Sequence, residues 1–416
     1  MRITEVALTP VAFPEPPLLN SVGVHQPWAL RTIVELRSDT GCTGAGETYG
    51  DDTHLELLGR VAPLLRDADP FGIEAIRTAI ADAVTGGAGD EHGLGAVARP
   101  QSAADRVFAA FEVALLDLQG RSLGVPVHAL LGGPARDRVP FAAYLFYKWA
   151  GHPGQAPDAW GEALDPRGIV AQARRMVARH GFQALKLKGG VLPPDQEVAA
   201  VRALSDAFPG VPLRLDPNAA WTVPTSHRVA AELGPCLEYL EDPTPGLEGM
   251  ADVASTAPLP LATNMCVVSF ADLPEAVRRG SVRVVLGDPH YWGGLRRSQE
   301  LAATCRTFGL GLSMHSNSHL GVSLAAMVHL AAATPHLTYS CDTHTPWAET
   351  DVVRAPLRVT GGAVTVPDGP GLGVELDPEA LARMHEDYLR CGLRRRDDTA
   401  YMRTFDPGFS PRQATW

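Results

Sequence analysis

Between Ala184 and Pro243 the chain reads ALKLKGGVLPPDQEVAAVRALSDAFPGVPLRLDPNAAWTVPTSHRVAAELGPCLEYLEDP. It contains three short apolar runs, Ala184–Lys188, Val211–Asp216 and Leu237–Glu241, each ending in a charged residue. Amphipathic stretches such as Glu197–Phe208 lie between them. Near-continuous apolar runs of this length suit strands covered on both faces, as in a parallel sheet wrapped by helices. Working outward, the texture recurs at Val139–Tyr147 on one side. On the other it recurs at Leu259–Asn264, Val282–Asp288, Leu310–His315 and Leu337–Asp342. Helical patterns at Ile169–His180, Leu273–Arg279 and Leu295–Phe308 alternate with these runs. Eight runs in alternation predict a closed α/β barrel, here (β/α)7β, a modified TIM barrel.

The flanks differ in kind. Arg2–Phe13 and Arg31–Arg37 alternate as strands, and Asp39-Thr40-Gly41 reads as the turn of a hairpin into Cys42–Glu47. Helical patterns follow at Leu55–Arg66, Ile73–Val84 and Ala103–Leu123, with a glycine-rich loop at Gly86-Gly87-Ala88-Gly89-Asp90-Glu91. This is an α+β module. At the other end Pro356–Val366 reads as a hairpin about Gly361-Gly362, and Pro378–Arg390 as a helix. The expected organisation is an α+β capping domain with a lid loop over residues 1–135 and a barrel over 136–350. A segment over 351–416 then returns to the cap.

The 416 residues carry 36 Lys+Arg against 47 Asp+Glu, a net charge of −11. That balance, with no basic patch, argues against nucleic acid as partner. Six scattered cysteines without a CxxC pair read as reduced thiols. The N-terminus starts a strand and not a signal peptide, and Leu320–Thr334, though apolar, is too short to cross a bilayer. A cytoplasmic enzyme that assembles as a homo-oligomer, with no membrane partner, is expected.

The polar residues fall in register. The runs end in Lys186 and Lys188, then Asp216, Glu241, Asn264, Asp288, His315, and Asp342 with His344, spaced by about one βα unit each. All would project at the C-terminal mouth of one barrel, where this architecture places active sites. Asp216, Glu241 and Asn264 offer oxygen alone, which suits Mg2+ over zinc. Singly, each acid is more simply a helix cap; three on consecutive strands point to a metal. Lys186 and Lys188, two apart on a strand, face the same way, so each should lower the other's pKa toward that of a general base. Asp288 and His315 on neighbouring strands suit a carboxylate-oriented imidazole. Such a set fits removal of a proton next to a carboxylate, with the enolate charge neutralised by Mg2+ and lysine.

At these residues the chain resembles the enolase superfamily, in its mandelate racemase-like branch, and there the acid-sugar dehydratases typified by glucarate dehydratase. The matching stretches are Phe182–Gly190, Leu215–Trp221, Glu241-Asp242-Pro243, Ala262–Met265, Asp288–Trp292, His315-Ser316-Asn317 and Asp342-Thr343-His344, with Glu112–Gly133 and Gly371–Asp377 outside them. The resemblance implies Lys188 and His315, the latter paired with Asp288, as the two acid/base groups, and Asp216, Glu241 and Asn264 as Mg2+ ligands. It implies substrate contacts at His25, Tyr144, Lys186, Asn218, Asn264, Ser316, Asn317, His344 and Arg396. His25 would lie in a lid, Asn20–Trp28, and Arg396 in the returning tail. The implied reaction is Mg2+-dependent dehydration of a sugar diacid of the glucarate type to a keto-deoxy acid. The chain departs from the family where a threonine-bearing segment is expected, reading Arg99-Pro100-Gln101-Ser102-Ala103-Ala104.

Other readings stay open on the residues alone. A racemase, epimerase or cycloisomerase would use the same metal and bases, and an idle paralogue could retain them. A zinc hydrolase, suggested by His315, His319 and His344, would want paired histidines in the first run, which instead ends Tyr144-Leu145-Phe146-Tyr147-Lys148. His319 is more simply a residue of the core or of a helix start.

Overall fold

The structure, a computed structural model, describes residues 1–84 and 101–416. The glycine-rich stretch 86–91 and residues Arg99 and Pro100 lie outside the described residues. Seven parallel strands form one curved sheet in chain order: Ala143–Phe146, Leu185–Lys188, Leu213–Asp216, Tyr239–Glu241, Leu261–Thr263, Val284–Gly287 and Gly311–Met314. Nearly every residue in them is buried, as sheets covered on both faces require. Register aligns Phe146 with Lys188 and Lys188 with Asp216, so the polar strand ends share one level.

The eighth run closes the ring without becoming a regular strand. Asp342 N–H donates to Met314 O at 2.8 Å on one side, and Cys341 N–H to Pro140 O at 2.9 Å on the other. A single parallel bridge, Phe141 to Cys341, joins it to the first run. The first run is itself divided. Arg138–Pro140 pairs antiparallel with Ala363–Thr365 before the barrel strand begins. The hairpin expected over Pro356–Val366 therefore shrinks to a tight turn at Gly361-Gly362, both at positive φ. Its strand serves the floor of the barrel, since Gly362 N–H reaches His180 O at 2.8 Å. The tail helix, Pro378–Cys391, returns to the cap, where His385 Nδ1 meets Pro10 O at 2.7 Å.

The cap is a three-stranded antiparallel sheet of Ile3–Pro14, Trp28–Ser38 and Thr43–Tyr49 under the helix Ala103–Leu123. Ser102 caps that helix through Asp105 N–H at 3.2 Å, which commits its hydroxyl to the fold. Gly44 and Gly46 let the strand lie flat on the helix backbone; a Cβ on either would overlap main-chain atoms of the helix. Gly46→Val is accordingly expected to cost about 2–3 kcal/mol, read as a lowered Tm in calorimetry. Glu112 and Asp117 on the same helix fasten cap to barrel and tail. Glu112 accepts from the backbone of Leu295, and Asp117 from Ala45 N–H and Leu372 N–H at 2.8 and 2.7 Å. The helix Gly321–Ala332 is buried throughout. Among the described residues no helix is long and apolar enough to cross a membrane.

Candidate active site

The mouth of the barrel gathers the strand-end residues into one cavity. Tyr144 and Phe146 line it from the first strand and Lys188 from the second. Asn218, Asn264, His315, Ser316, Asn317 and His344 follow from later strand ends, with Asn20 and His25 from the cap and Arg396 from the tail. Asp216, Glu241, Asp288 and Lys186 stand behind this wall, each at most 1% exposed.

Two lysines and three carboxylates interlock at the base. Lys188 Nζ lies 2.6 Å from Asp216 Oδ2. Lys186 Nζ lies 2.6 Å from Asp342 Oδ2, 2.7 Å from Glu241 Oε2 and 3.7 Å from Asp216 Oδ2. The expectation of a lowered lysine pKa is not met at Lys186. Burial would lower it, but Asp342 and Glu241 more than offset that, and it is held well above the usual value. Nor does Lys186 reach the cavity wall; it sits deeper, 4.6 Å from the centre of the Tyr144 ring. For Asp216, burial is outweighed by Lys188 and Lys186, which hold it below the ordinary carboxylate range. Glu241 goes the other way, raised well above by burial and by Asp216.

Among the described residues, Glu241 Oε1 and Oε2, Asn264 Oδ1, Asn218 Oδ1 and Asp342 Oδ1 are buried here without a hydrogen bond, although Glu241 Oε2 faces Lys186 Nζ at 2.7 Å. Unsatisfied buried acceptors are costly, and acceptors converging from adjacent strands fit a hard divalent cation. Asp216, Glu241 and Asn264 could hold one. Among the described residues no group of three His, Cys, Asp or Glu is placed to hold a metal ion. Asp242, left-handed at φ 36°, fixes the main chain at Asn264 by accepting from Thr263 Oγ1 at 2.6 Å and Asn264 N–H at 2.9 Å.

On the far side of this set, His315 Nδ1 is 3.1 Å from Asp288 Oδ2. Against the effect of burial, His290 and His315 keep Asp288 well below the carboxylate range, so it is anionic. An anionic partner makes Nδ1 the donor and leaves Nε2 of His315, which lines the cavity, as the atom that exchanges a proton.

A cover of cap and tail closes the mouth. The short hairpin Leu19–Asn20 and Gly23–Val24 is held to the barrel by Leu19 N–H to Tyr147 O at 2.8 Å. It is held to the tail by Thr399 Oγ1 to Val22 O at 2.7 Å and Arg412 N–H to Ser21 O at 2.8 Å. Arg396 is oriented by two hydrogen bonds to Asp398 Oδ2, at 2.7 and 3.0 Å. His25 Nδ1 meets Glu15 Oε1 at 3.0 Å, and Glu15 also accepts from Ser318 Oγ. Burial raises the Glu15 carboxyl, yet His25, together with Arg396 and Ser318, outweighs this and brings it to about 2 from 4.5. A depressed carboxylate stabilises above its unfolded pKa and loses that contribution as pH falls through the folded one. About 3 kcal/mol of cover stability is therefore expected to disappear between about pH 4.5 and 2. Hydrogen exchange of the Leu18–His25 amides, faster in Glu15→Gln than in the parent at neutral pH, measures it.

Residues 3–132 match the model of the mandelate racemase/muconate lactonizing enzyme N-terminal domain, and 168–380 match the enolase C-terminal domain-like model. The chain belongs to the enolase superfamily. It is 54% identical to a probable glucarate dehydratase of Streptomyces coelicolor over 98% of this chain and 97% of that one. An enolase from Thermobispora bispora, solved with magnesium and formate, is 61% identical over the whole of both chains, with a TM-score of 0.98. Another from Pseudomonas fluorescens, solved with magnesium, potassium and tartrate, is 49% identical over 100% of this chain and 99% of that one, with a TM-score of 0.95.

Within this superfamily member, several site residues escaped the sequence reading. Glu15 lies in the turn-like Phe13-Pro14-Glu15-Pro16-Pro17, with no register to the barrel. Arg31 and Glu47, an ion pair at 2.9 Å buried under the mouth, look like ordinary strand residues of the cap. His290 stands two residues past a strand end, yet its Nδ1 is 2.7 Å from Asp288 Oδ1. Only that offset of two from an acid already singled out could have flagged it.

Proposed function

We propose that the protein is a Mg2+-dependent acid-sugar dehydratase acting on a glucarate-like sugar diacid. The observation that carries this is that Lys188 and His315 line one cavity together with Asn218 and Asn264, with unsatisfied buried oxygens on Glu241, Asn264 and Asn218. The high identity to a probable glucarate dehydratase supports the choice of substrate. So does tartrate, a dicarboxylate, in the related Pseudomonas fluorescens enolase.

A Mg2+ ion held by Asp216, Glu241 and Asn264 would supply the positive charge that makes the carbon next to a carboxylate acidic. The remaining work falls to the chain. One of Lys188 and His315 takes the α-proton, and the two stand on separate strands so that each serves one face of the substrate. The β-hydroxyl leaves with a proton from an acid as water, and the enol tautomerises to the keto-deoxy acid. Lys186, pinned among three carboxylates behind the cavity wall, remains a fixed cation that compensates their charge. Arg396 and His25 meet the distal end of the diacid, and the closed cover excludes water. A panel of aldarates and aldonates incubated with Mg2+ and assayed for 2-keto acids tests the reading. Keto acid from a diacid supports it, and epimer without keto acid replaces it with a racemase.

A further inference from the structure

The group that holds His315 in place is itself held by a second imidazole. Asp288 Oδ1 accepts from His290 Nδ1 at 2.7 Å and from His290 N–H at 2.9 Å, leaving Oδ2 to His315. On its other side His290 Nε2 is 2.9 Å from Arg31 NH2 and 2.9 Å from Ser323 Oγ. A guanidinium has donors only, so Nε2 must present its lone pair to Arg31 and the ring proton must sit on Nδ1. A doubly protonated ring would set an N–H against the guanidinium. Arg31 cannot withdraw: its Nε is 2.9 Å from Glu47 Oε1, and Glu47 is tied to Leu320 N–H and Ser323 N–H, both at 2.8 Å.

We infer that His290 is a positioning residue, a neutral imidazole locked by Arg31, which occupies one oxygen of Asp288 and so fixes the ring and proton affinity of His315. The inference rests on the acid–base reading of His315. With Oδ1 taken, Asp288 can offer His315 only Oδ2, which holds the Nδ1–H tautomer and aims Nε2 at the cavity. Donation from His290 also draws charge from the carboxylate, leaving less of it to face the His315 Nδ1–H.

Among the described residues, the ionisable groups around His290 are Asp288, Arg31, Glu47, Tyr49, His54 and His319, with Arg106 stacked on Tyr49. His54 and His319 are neutral, burial pushing the first well below the usual value and the second to about 4. Around His315 they are Asp288, Tyr291 and His344, the last also kept neutral by burial. None of the three neutral imidazoles competes for the Asp288 charge.

The test uses full-length protein labelled with 15N-histidine, without substrate, titrated between about pH 5 and 9. The ring shifts of His290 should report a neutral Nδ1–H tautomer throughout that range. In His290→Ala the His315 midpoint should rise by about 0.5–1 pH unit, and the acid limb of kcat/KM should move with it. His290→Asn, whose amide nitrogen can overlie Nδ1, should restore both. A protonated or Nε2–H ring at position 290 in the parent protein overturns the inference, and that reading needs no variant. An unmoved His315 midpoint in His290→Ala overturns it as well. A shifted midpoint in protein that turns over no acid sugar would defeat the dehydratase reading and leave this inference standing.

Discussion

Replacing Lys188 or His315 by alanine is expected to lower kcat for dehydration by about 10³-fold or more, the usual scale for removing a positioned proton carrier. Neither change should unfold the protein. Asp216 loses its 2.6 Å partner in Lys188→Ala but keeps Lys186 at 3.7 Å, so its charge stays compensated. His315→Asn is the gentler companion, because its amide can still donate toward Asp288 Oδ2 where Nδ1 now lies at 3.1 Å. The two variants should differ in what survives. If each group serves one face, Lys188→Ala retains α-proton exchange with solvent deuterium for one epimeric series and His315→Asn for the other. Mass spectrometry of recovered substrate in D2O separates the cases. Full activity in both alanine variants would remove the acid–base assignment.

The barrel was legible because its strands are buried on both sides, so each writes a short apolar run that nothing else in a helical wrapper imitates. Register did the rest. Side chains at strand ends recur once per βα unit, which is why Asp216, Glu241, Asn264, Asp288 and His315 could be placed at one mouth without coordinates. What failed to show belongs to a different kind of contact. The eighth run resembles the others in composition, but its hydrogen bonds are divided between Met314 and Pro140, and pattern does not report how a segment shares its donors. Strand Ala363–Thr365 pairs across more than two hundred residues with Arg138–Pro140, a partner that no local pattern names. Glu15, Arg31 and Glu47 reach the site from a separate sheet, with spacing unrelated to the barrel period.

The lysine error has a physical cause of its own. Two ammonium groups side by side lower each other's proton affinity only if nothing negative stands nearer. Lys186 has three carboxylates within 3.7 Å, and one of them, Asp342, comes from the far end of the barrel in sequence. Proximity of Lys186 to Lys188 was readable; that Asp342 would stand against Lys186 was decided by closure of the ring.

That crowding makes Glu241→Gln the most informative change at the base of the site. Glu241 is raised by burial and by the neighbouring Asp216, so its charge is disfavoured where it stands. An amide of the same shape removes a carboxylate from a cluster of Asp216, Glu241 and Asp342 around two ammonium groups. Without added metal the variant should therefore melt no lower than the parent, and its Tm is expected to hold or rise. With Mg2+ the order reverses. Losing one of two anionic ligands should weaken binding by about 100-fold or more, which at saturating metal withdraws about 2.7 kcal/mol of linked stabilisation. Asn264→Ala, which removes a neutral donor, should follow the same course with a smaller loss, about 10-fold. Calorimetric titration with Mg2+ and melting curves at several Mg2+ concentrations check both. A parental Mg2+ shift in Glu241→Gln would place the cation elsewhere. A lowered Tm in metal-free Glu241→Gln would instead show that its contact with Lys186 stabilises the fold more than the repulsion costs, and that the site is built first as an ion-pair network.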